Sequence, residues 1–533
     1  MSRQAVSRRV AVIGMWALVA FAVRALSLDA QSLWRDEVDA LHFATAPWAE
    51  MLSNFTRPGW NGPLYFLLLR GWIGLTGTTG YGMRFFSLCF GVLCVPLAYV
   101  LGHRLFDQFV GCLAALLVAA SAYLTWYGQE VKMYTLVLAL SLLAIYGQRR
   151  ALAGRGRRWW AVHVVATALA FYSHILAALL IPVHVLLYLV WWPETRRRWT
   201  GALVSLASLT LPYLPLAAWQ GPLLFRARET GFHRYALHEM AQILLDGWSL
   251  GVRPWGRPWG SGLVAALAAW GLASPLFLPR FWPLGRRPGK VYVSDDEAMV
   301  HRAALLCWLG LPVLLVWLVS LWQPLFTDRY MMWAAPAFYL MVALGLASFR
   351  RFGTWGRCVV ALVLGVVLVL DGVNLWQQAR APIKSDFRAA AAYVANYRRQ
   401  APSHVPAPAG ETGPFRCYLP LVAMGGNSFP DLIVFQIPHG RYTFDYYFDG
   451  GTHPWAEGLY TNYRALDGSY LMGESEVSHH MQETTAGYEV VWLVVTEMAM
   501  WDERGLVQAW LDANAQRVDE AHFAHVDVYR YVR

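Results

Sequence analysis

A chain of 533 residues with 57% hydrophobic side chains, 15% charged ones and a mean hydropathy of +0.35 is too apolar for a soluble globular protein of its length. Its net charge of +10 does not point to nucleic acid, because from Pro382 onward 11 Lys/Arg stand against 18 Asp/Glu, and the excess of 17 positive charges before that point lies in short clusters between apolar runs. Of the six cysteines only Cys417 lies in the polar tail, which leaves no disulfide framework and no metal-ligand spacing.

Arg3, Arg8 and Arg9 precede an apolar run from Val10 to Val23 that lacks a small-residue cleavage site, so an uncleaved signal anchor is expected. A span needs about 20 mostly apolar residues. Runs at 10–28, 84–102, 109–125, 131–148, 159–174, 175–192, 199–219, 259–279, 303–322, 330–349 and 357–376 qualify. The run 63–77 is short and is interrupted by Arg70 and Gly71. If it spanned, the basic loops His103/Arg104, Arg149 to Arg158, Arg196 to Arg198, Arg280 to Lys290 and Arg350 to Arg357 would all lie outside. As a non-spanning juxtamembrane helix it leaves all five inside. The expectation is an α-helical polytopic protein of the plasma membrane, with about 11 transmembrane helices and a cytoplasmic N-terminus. Residues 1–376 form its membrane domain, with a first outer loop at 29–83, and 377–533 form an extracytoplasmic domain.

That tail reads as a small α/β domain. Ser385 to Arg399 predicts a helix with Ser385 as N-cap. Strands are expected at Leu432 to Ile437, Val490 to Thr496 and His522 to Val532, with a helix at Glu503 to Ala515. No catalytic motif is evident in it.

The same parity gathers polar chemistry on the outer face. The first loop places Asp36, Glu37 and Asp39 beside Trp34. Carboxylates so close to hydrocarbon are costly and usually kept for ion, proton or substrate chemistry; a solvated loop that happens to be acidic is the plain alternative. Glu130 and Lys132, between Tyr127 and Tyr134, either serve a site or snorkel to water among belt aromatics. His174, alone between two runs, more often signals a packing hydrogen bond than a ligand. Trp34 and Tyr65 offer stacking faces for sugar or isoprenoid, with an interfacial belt as the default for a chain of 27 Trp.

The series Asp36-Glu37, Asn61-Gly62-Pro63-Leu64-Tyr65, Met83-Arg84-Phe85-Phe86-Ser87, Tyr127-Gly128-Gln129-Glu130 with Lys132-Met133-Tyr134, Tyr172-Ser173-His174 and Asp328-Arg329-Tyr330 with Pro336 resembles the GT-C superfamily of membrane glycosyltransferases. The nearest likeness is to the bacterial family 39 and aminoarabinose-transferase-like members, related to protein O-mannosyltransferases. It departs from the family at Asn61, where His-Pro-Pro or Lys-Pro-Pro is usual, and at Lys132, where Arg is common. The resemblance implies an inverting transfer of a sugar from a polyprenyl-phosphate donor to a lipid, glycan or protein acceptor at the outer face. Asp36 would be the base, Glu37 would orient the acceptor or help hold a metal, and Glu130 would shape the acceptor or metal site. Arg329 would clamp the carrier phosphate with Lys132 as a second cation, and Tyr330 and His174 would be further substrate-binding residues. Asp36 and Glu130 are the candidate ligands of an optional divalent cation, Mg²⁺ or Mn²⁺. The competing class is a secondary transporter or flippase for an amphipathic solute, which would carry ionisable residues near the midplane of its spans. A non-catalytic envelope scaffold is a third reading.

Overall fold

In a computed structural model the described residues are 3–55, 62–215, 217–218, 233–277, 295–400, 431–464 and 469–533. They divide into two compact units, one of residues 1–30 and 40–381, the other of 31–39 and 382–533. The expected division kept the whole loop 29–83 with the membrane domain. Instead Gln31–Asp39 clusters with the C-terminal unit, because its hydrogen bonds and ion pairs run to that part of the chain.

Among its described residues the first unit is built from helices. Its helices are α1 Arg3–Leu26, α2 Arg35–Thr45 (whose first residues belong to the second unit), α3 Trp48–Phe55, α4 Pro63–Thr76, α5 Gly80–Leu105, α6 Gln108–Ala120, α7 Ala122–Gly128, α8 Tyr134–Leu152, α9 Arg158–Ser173, α10 Leu180–Val190, α11 Trp192–Arg197, α12 Trp199–Thr210, α13 Leu237–Leu250, α14 Trp259–Phe277, α15 Asp295–Ser320, α16 Ala335–Ser348 and α17 Gly353–Arg380. The described parts of the predicted runs fall mostly on helices, while residues 216, 219, 278 and 279 of two of them lie outside the described residues; four helical stretches of the described residues are long and apolar enough to cross a membrane, or five if the bent pair α6 and α7 is one span. One of the four, Asp328–Arg380, is 53 residues long, and at about 1.5 Å per residue that exceeds twice a hydrocarbon core of about 30 Å. It breaks at Gly353, whose φ of 67° is left-handed and suits a residue without a Cβ. The short run 63–77 is α4, and the arginine that interrupts it works: Arg70 donates to the carbonyls of Ala44 at 3.1 Å and Ala46 at 2.6 Å and covers the Trp48 ring.

The bend of 56° between α6 and α7 falls at Ser121. A bend frees carbonyls and amides that a lipid environment cannot satisfy. Here the protein satisfies them. The Arg24 guanidinium donates to Val118 and Ala119 carbonyls, Ser121 Oγ accepts from the Leu124 amide, Asp371 accepts from the Ala122 amide, and Gln378 donates to the Ala122 carbonyl. The bend positions α7 and the turn 129–133 that follows it. Elsewhere small residues bring helices together. A Cβ on Gly271 of α14 would strike the Met341 carbonyl of α16, and one on Gly345 of α16 would strike the Leu267 carbonyl of α14.

The second unit carries a five-stranded sheet ordered β2-β1-β3-β5-β4, with β1 Asp431–Phe435, β2 Trp455–Glu457, β3 Val490–Val495, β4 Gln516–Phe523 and β5 Val526–Val532. β1 pairs in parallel with β2 and β3, while β5 runs antiparallel to β3 and β4. Alternation along β1 and β3 sends Ile433, Phe435, Trp492 and Val494 to one face, under Phe387, Ala391 and Val394 of α18 (Phe387–Gln400) and Phe444 of α19 (Gly440–Tyr447). Leu432, Val434, Val491 and Leu493 face the other way, toward Val477 and Met481 of α20 (Glu474–Thr484) and Val507 and Leu511 of α22 (Leu506–Asn514), with α21 (Met498–Trp501) between them in sequence. Two expectations change. The expected cap of α18 is replaced by Asp386, whose Oδ1 accepts from the Ala389 amide, so the helix starts later. The strand read at His522 to Val532 is two strands, because His525, with φ of 54°, turns the chain into a hairpin.

Replacing Gly345 by Val drives a side chain into the backbone of α14. We expect a loss of about 1–3 kcal/mol or more of stability, read as a lower unfolding midpoint in detergent, with Gly365→Val on an open surface as the neutral control.

Candidate functional site

Asp36 and Glu37 stand in the first turn of α2, where the helix dipole favours negative charge. Trp34 closes that turn, its carbonyl accepting from the Val38 amide and its own amide lying 3.4 Å from Glu37 Oε2. Glu37 has no solvent exposure, and its carboxylate accepts from Lys384 Nζ at 2.9 Å. The same ammonium lies 5.8 Å from the Trp34 ring centroid. Around this pair the segment 31–39 is stitched to its own unit residue by residue. Gln31 Oε1 accepts from the Ile383 and Lys384 amides, Ser32 Oγ from the Arg388 amide, and the Leu33 amide donates to Tyr447 Oη at 2.6 Å. Arg35 donates to Glu497 Oε2 at 2.8 Å and to His439 Nε2 at 2.7 Å. A guanidinium has only donors, so His439 Nε2 accepts and Nδ1 carries its proton toward Tyr460 Oη at 2.8 Å. The Trp501 indole also donates to Glu497 Oε2, at 3.0 Å. Burial alone would raise the Glu497 carboxyl, but the Arg35 charge and the indole hydrogen bond hold the group below its ordinary range. Asp36, partly exposed, sits between two anchored neighbours.

The first unit holds the other candidates. Glu130 is buried in the turn after α7, and its carbonyl accepts from the Lys132 amide at 2.8 Å. Ser87 of α5 donates to the Lys132 carbonyl, which fixes the turn. Arg329 lies 6.0 Å from the Tyr134 ring centroid and 5.9 Å from that of Tyr330. The His174 ring is 4.7 Å from Tyr330 and 6.3 Å from Tyr134, near enough for the charges of both Arg329 and Lys132 to act on it. Asp328 Oδ2 accepts from Tyr127 Oη at 2.9 Å, and the Asp328 carbonyl accepts from Tyr123 Oη. So Lys132, His174, Arg329 and Tyr330, dispersed in sequence, form one cluster of cations and aromatic faces. Tyr65 is buried in α4. Its ring is wholly enclosed against Phe66 and Phe86 and its hydroxyl is 3.3 Å from Ser87 Oγ, a place that packs α4 on α5. Asn61 of the expected motif lies outside the described residues. Among the described residues no group of three or more His, Cys, Asp or Glu is placed to hold a metal ion, and Asp36 and Glu130 belong to different units.

Sequence reasoning missed Lys384, His439 and Glu497, and quoted Asp328 without giving it a role. One signal existed for the first: of 44 cationic residues only Lys132, Lys290 and Lys384 are lysines, so a lone Lys beside the start of the tail was conspicuous. For the others there was none, since they meet Arg35 from over 400 residues away.

Residues 57–219 match the family described as dolichyl-phosphate-mannose-protein mannosyltransferase. A search of curated protein sequences finds no match. In structure the chain is similar to ArnT from Cupriavidus metallidurans, solved bound to undecaprenyl phosphate, at a TM-score of 0.54 and 13% identity over 98% of each chain. It is also similar to the archaeal oligosaccharyltransferase AglB from Archaeoglobus fulgidus, solved with an inhibitory peptide and a dolichol-phosphate. That match has a TM-score of 0.53 and 13% identity over 99% of this chain and 74% of that one. At such identities the likeness is one of fold, and the resemblance to GT-C glycosyltransferases holds at that level.

Removing Lys384 takes the counter-charge from a carboxylate with no water around it. Lys384→Ala should cost about 3 kcal/mol, and Glu37→Gln in the same chain should recover much of it, as measured by denaturant unfolding. Glu497 gives a pH dependence. Its folded carboxyl is the more acidic, so its contribution is whole above the ordinary glutamate value of about 4.3 and is lost as pH falls through and below it. The unfolding midpoint of the wild type should therefore drop more steeply than that of Glu497→Gln between about pH 5 and 3.

Proposed function

We propose that this chain, with the fold of ArnT and AglB, is an inverting glycosyltransferase that moves a sugar from a polyprenyl-phosphate carrier to a hydroxyl of a lipid, glycan or protein acceptor. It would do so at the outer face of the plasma membrane, with eleven spans, a cytoplasmic N-terminus and an extracytoplasmic domain from about residue 377. What supports the reading most is the cluster in the first unit. Lys132 and Arg329 supply two cations bordered by Tyr134, His174 and Tyr330, a combination suited to a lipid phosphate and the apolar chain behind it.

The chemistry asks little of such a protein. The carrier phosphate is already a good leaving group. The acceptor oxygen attacks the anomeric carbon, its proton passes to a carboxylate, and the bond to the phosphate oxygen breaks with its electron pair leaving on the phosphate. One displacement inverts the centre through an oxocarbenium-like state. Asp36 is assigned as the base, on its match to the first-loop aspartate of the family. Arg329, seconded by Lys132, takes the growing phosphate charge, and Tyr330 and Trp34 contact carrier or sugar. Glu37, already paired with Lys384, is better suited to fix Asp36 than to meet substrate. Glu130 shapes the acceptor side. A divalent cation would add charge stabilisation at the phosphate, and no step here is assigned to one.

The test is transfer from radiolabelled polyprenyl-phosphate sugars in proteoliposomes, scored over a panel of donors. Asp36→Asn should lower turnover of every accepted donor by about 10²–10⁴-fold, and Arg329→Met should raise KM for the carrier. Asp36→Asn matching the wild type would dismiss the catalytic assignment; a wild type that moves no sugar would dismiss the reaction.

A further inference from the structure

We propose that the C-terminal unit is a positioning module for the first loop: the crevice where its sheet would hold a ligand takes Arg35 instead, and so fixes the residue before Asp36. This rests on the reading of Asp36 as the base.

The argument begins with the sheet. β1 and β3 are neighbouring parallel strands. After β1 the chain passes to α19, whose Phe444 packs on one face; after β3 it passes through α21 to α22, whose Val507 and Leu511 pack on the other. Connections that leave adjacent parallel strands for opposite faces open a crevice at the carboxyl ends of those strands, and there open α/β sheets bind their ligands. The loop after β1 carries His439, and the loop after β3 carries Glu497. Both grip the Arg35 guanidinium, at 2.7 and 2.8 Å.

Aromatic rings surround the histidine of this grip. Tyr460 and Trp501, with ring centroids 5.0 Å apart, pack together against His439, which stacks near Tyr460 and meets Trp501 edge-on. The Glu497 backbone is held at φ of 49°, a conformation uncommon outside glycine, and its carboxylate is fixed by the Trp501 indole. Two residues along, Lys384 holds Glu37. The unit thus ties both neighbours of Asp36 through charge while presenting no catalytic motif itself. Arg35, Glu497, His439 and Lys384 are positioning residues.

The experiment compares the full-length wild type, Glu497→Gln, Arg35→Lys and the swap Arg35→Glu with Glu497→Arg in proteoliposomes. Two readouts are taken: hydrogen exchange of the amides of 31–39, and kcat and KM for whichever polyprenyl-phosphate sugar the wild type turns over. A hydrogen-bonded charge pair is lost in Glu497→Gln, so exchange in 31–39 should quicken by about tenfold or more and kcat should fall by a similar factor with KM unchanged. Arg35→Lys keeps the charge on a shorter side chain and should lie between, and the swap should return both readouts toward the wild type. Exchange in 31–39 unchanged in Glu497→Gln overturns the proposal, and so does quicker exchange with kcat intact. If the wild type moves no sugar, the glycosyl-transfer reading falls by itself, while the exchange readout still decides whether this unit holds the loop.

Discussion

Arg35 and Glu37 are each held by an opposite charge that enters the chain more than 340 residues later. The second of these pairs is the stricter constraint. A carboxylate without solvent exposure is tolerable only while its cation stays within hydrogen-bond reach, so Lys384 cannot leave without exposing a large desolvation cost. The pair dictates that residues 31–39 belong with the tail. The hydrogen bonds from Gln31, Ser32 and Leu33 then follow, since their partners Ile383, Arg388 and Tyr447 surround the same segment. The sheet behind them gives those partners a rigid base, packed on both faces by helices.

In the helical unit the governing rule is that polar backbone must be satisfied inside the protein. The predicted run 109–125 is continuous in composition yet bends at Ser121, and the bend survives because Arg24, Asp371 and Gln378 reach its freed groups from other helices. A buried arginine in an apolar helix would suggest a transport site if it were read alone. Its three donated bonds to carbonyls give it a structural occupation instead.

The irregular backbone is also where this cluster gathers. Lys132 lies in the turn after the bend, His174 between α9 and a short 3-10 turn, and Arg329 in the 3-10 turn that leads into α16. Each is outside regular α-helix, where a side chain can be aimed by its loop rather than by helical periodicity. A fold shared with ArnT and AglB gives this arrangement a context, while the residues of this chain give it its chemistry.

The sequence by itself determined what depends on composition and local pattern. It placed the apolar runs, singled out the short run at α4, and showed the change of chain character near residue 380 and the strands at Leu432 and Val490. It also flagged Lys132, His174 and Arg329 as polar residues in costly places. Only the tertiary structure decided what depends on distant partners. That Glu37 is a buried ion-pair member, that Tyr65 is core, that Asp386 caps α18 in place of Ser385, and that Arg35 meets His439 and Glu497 follow from contacts across hundreds of residues. No periodicity encodes them, because a charge or a ring carries no local mark of the partner that will bury it.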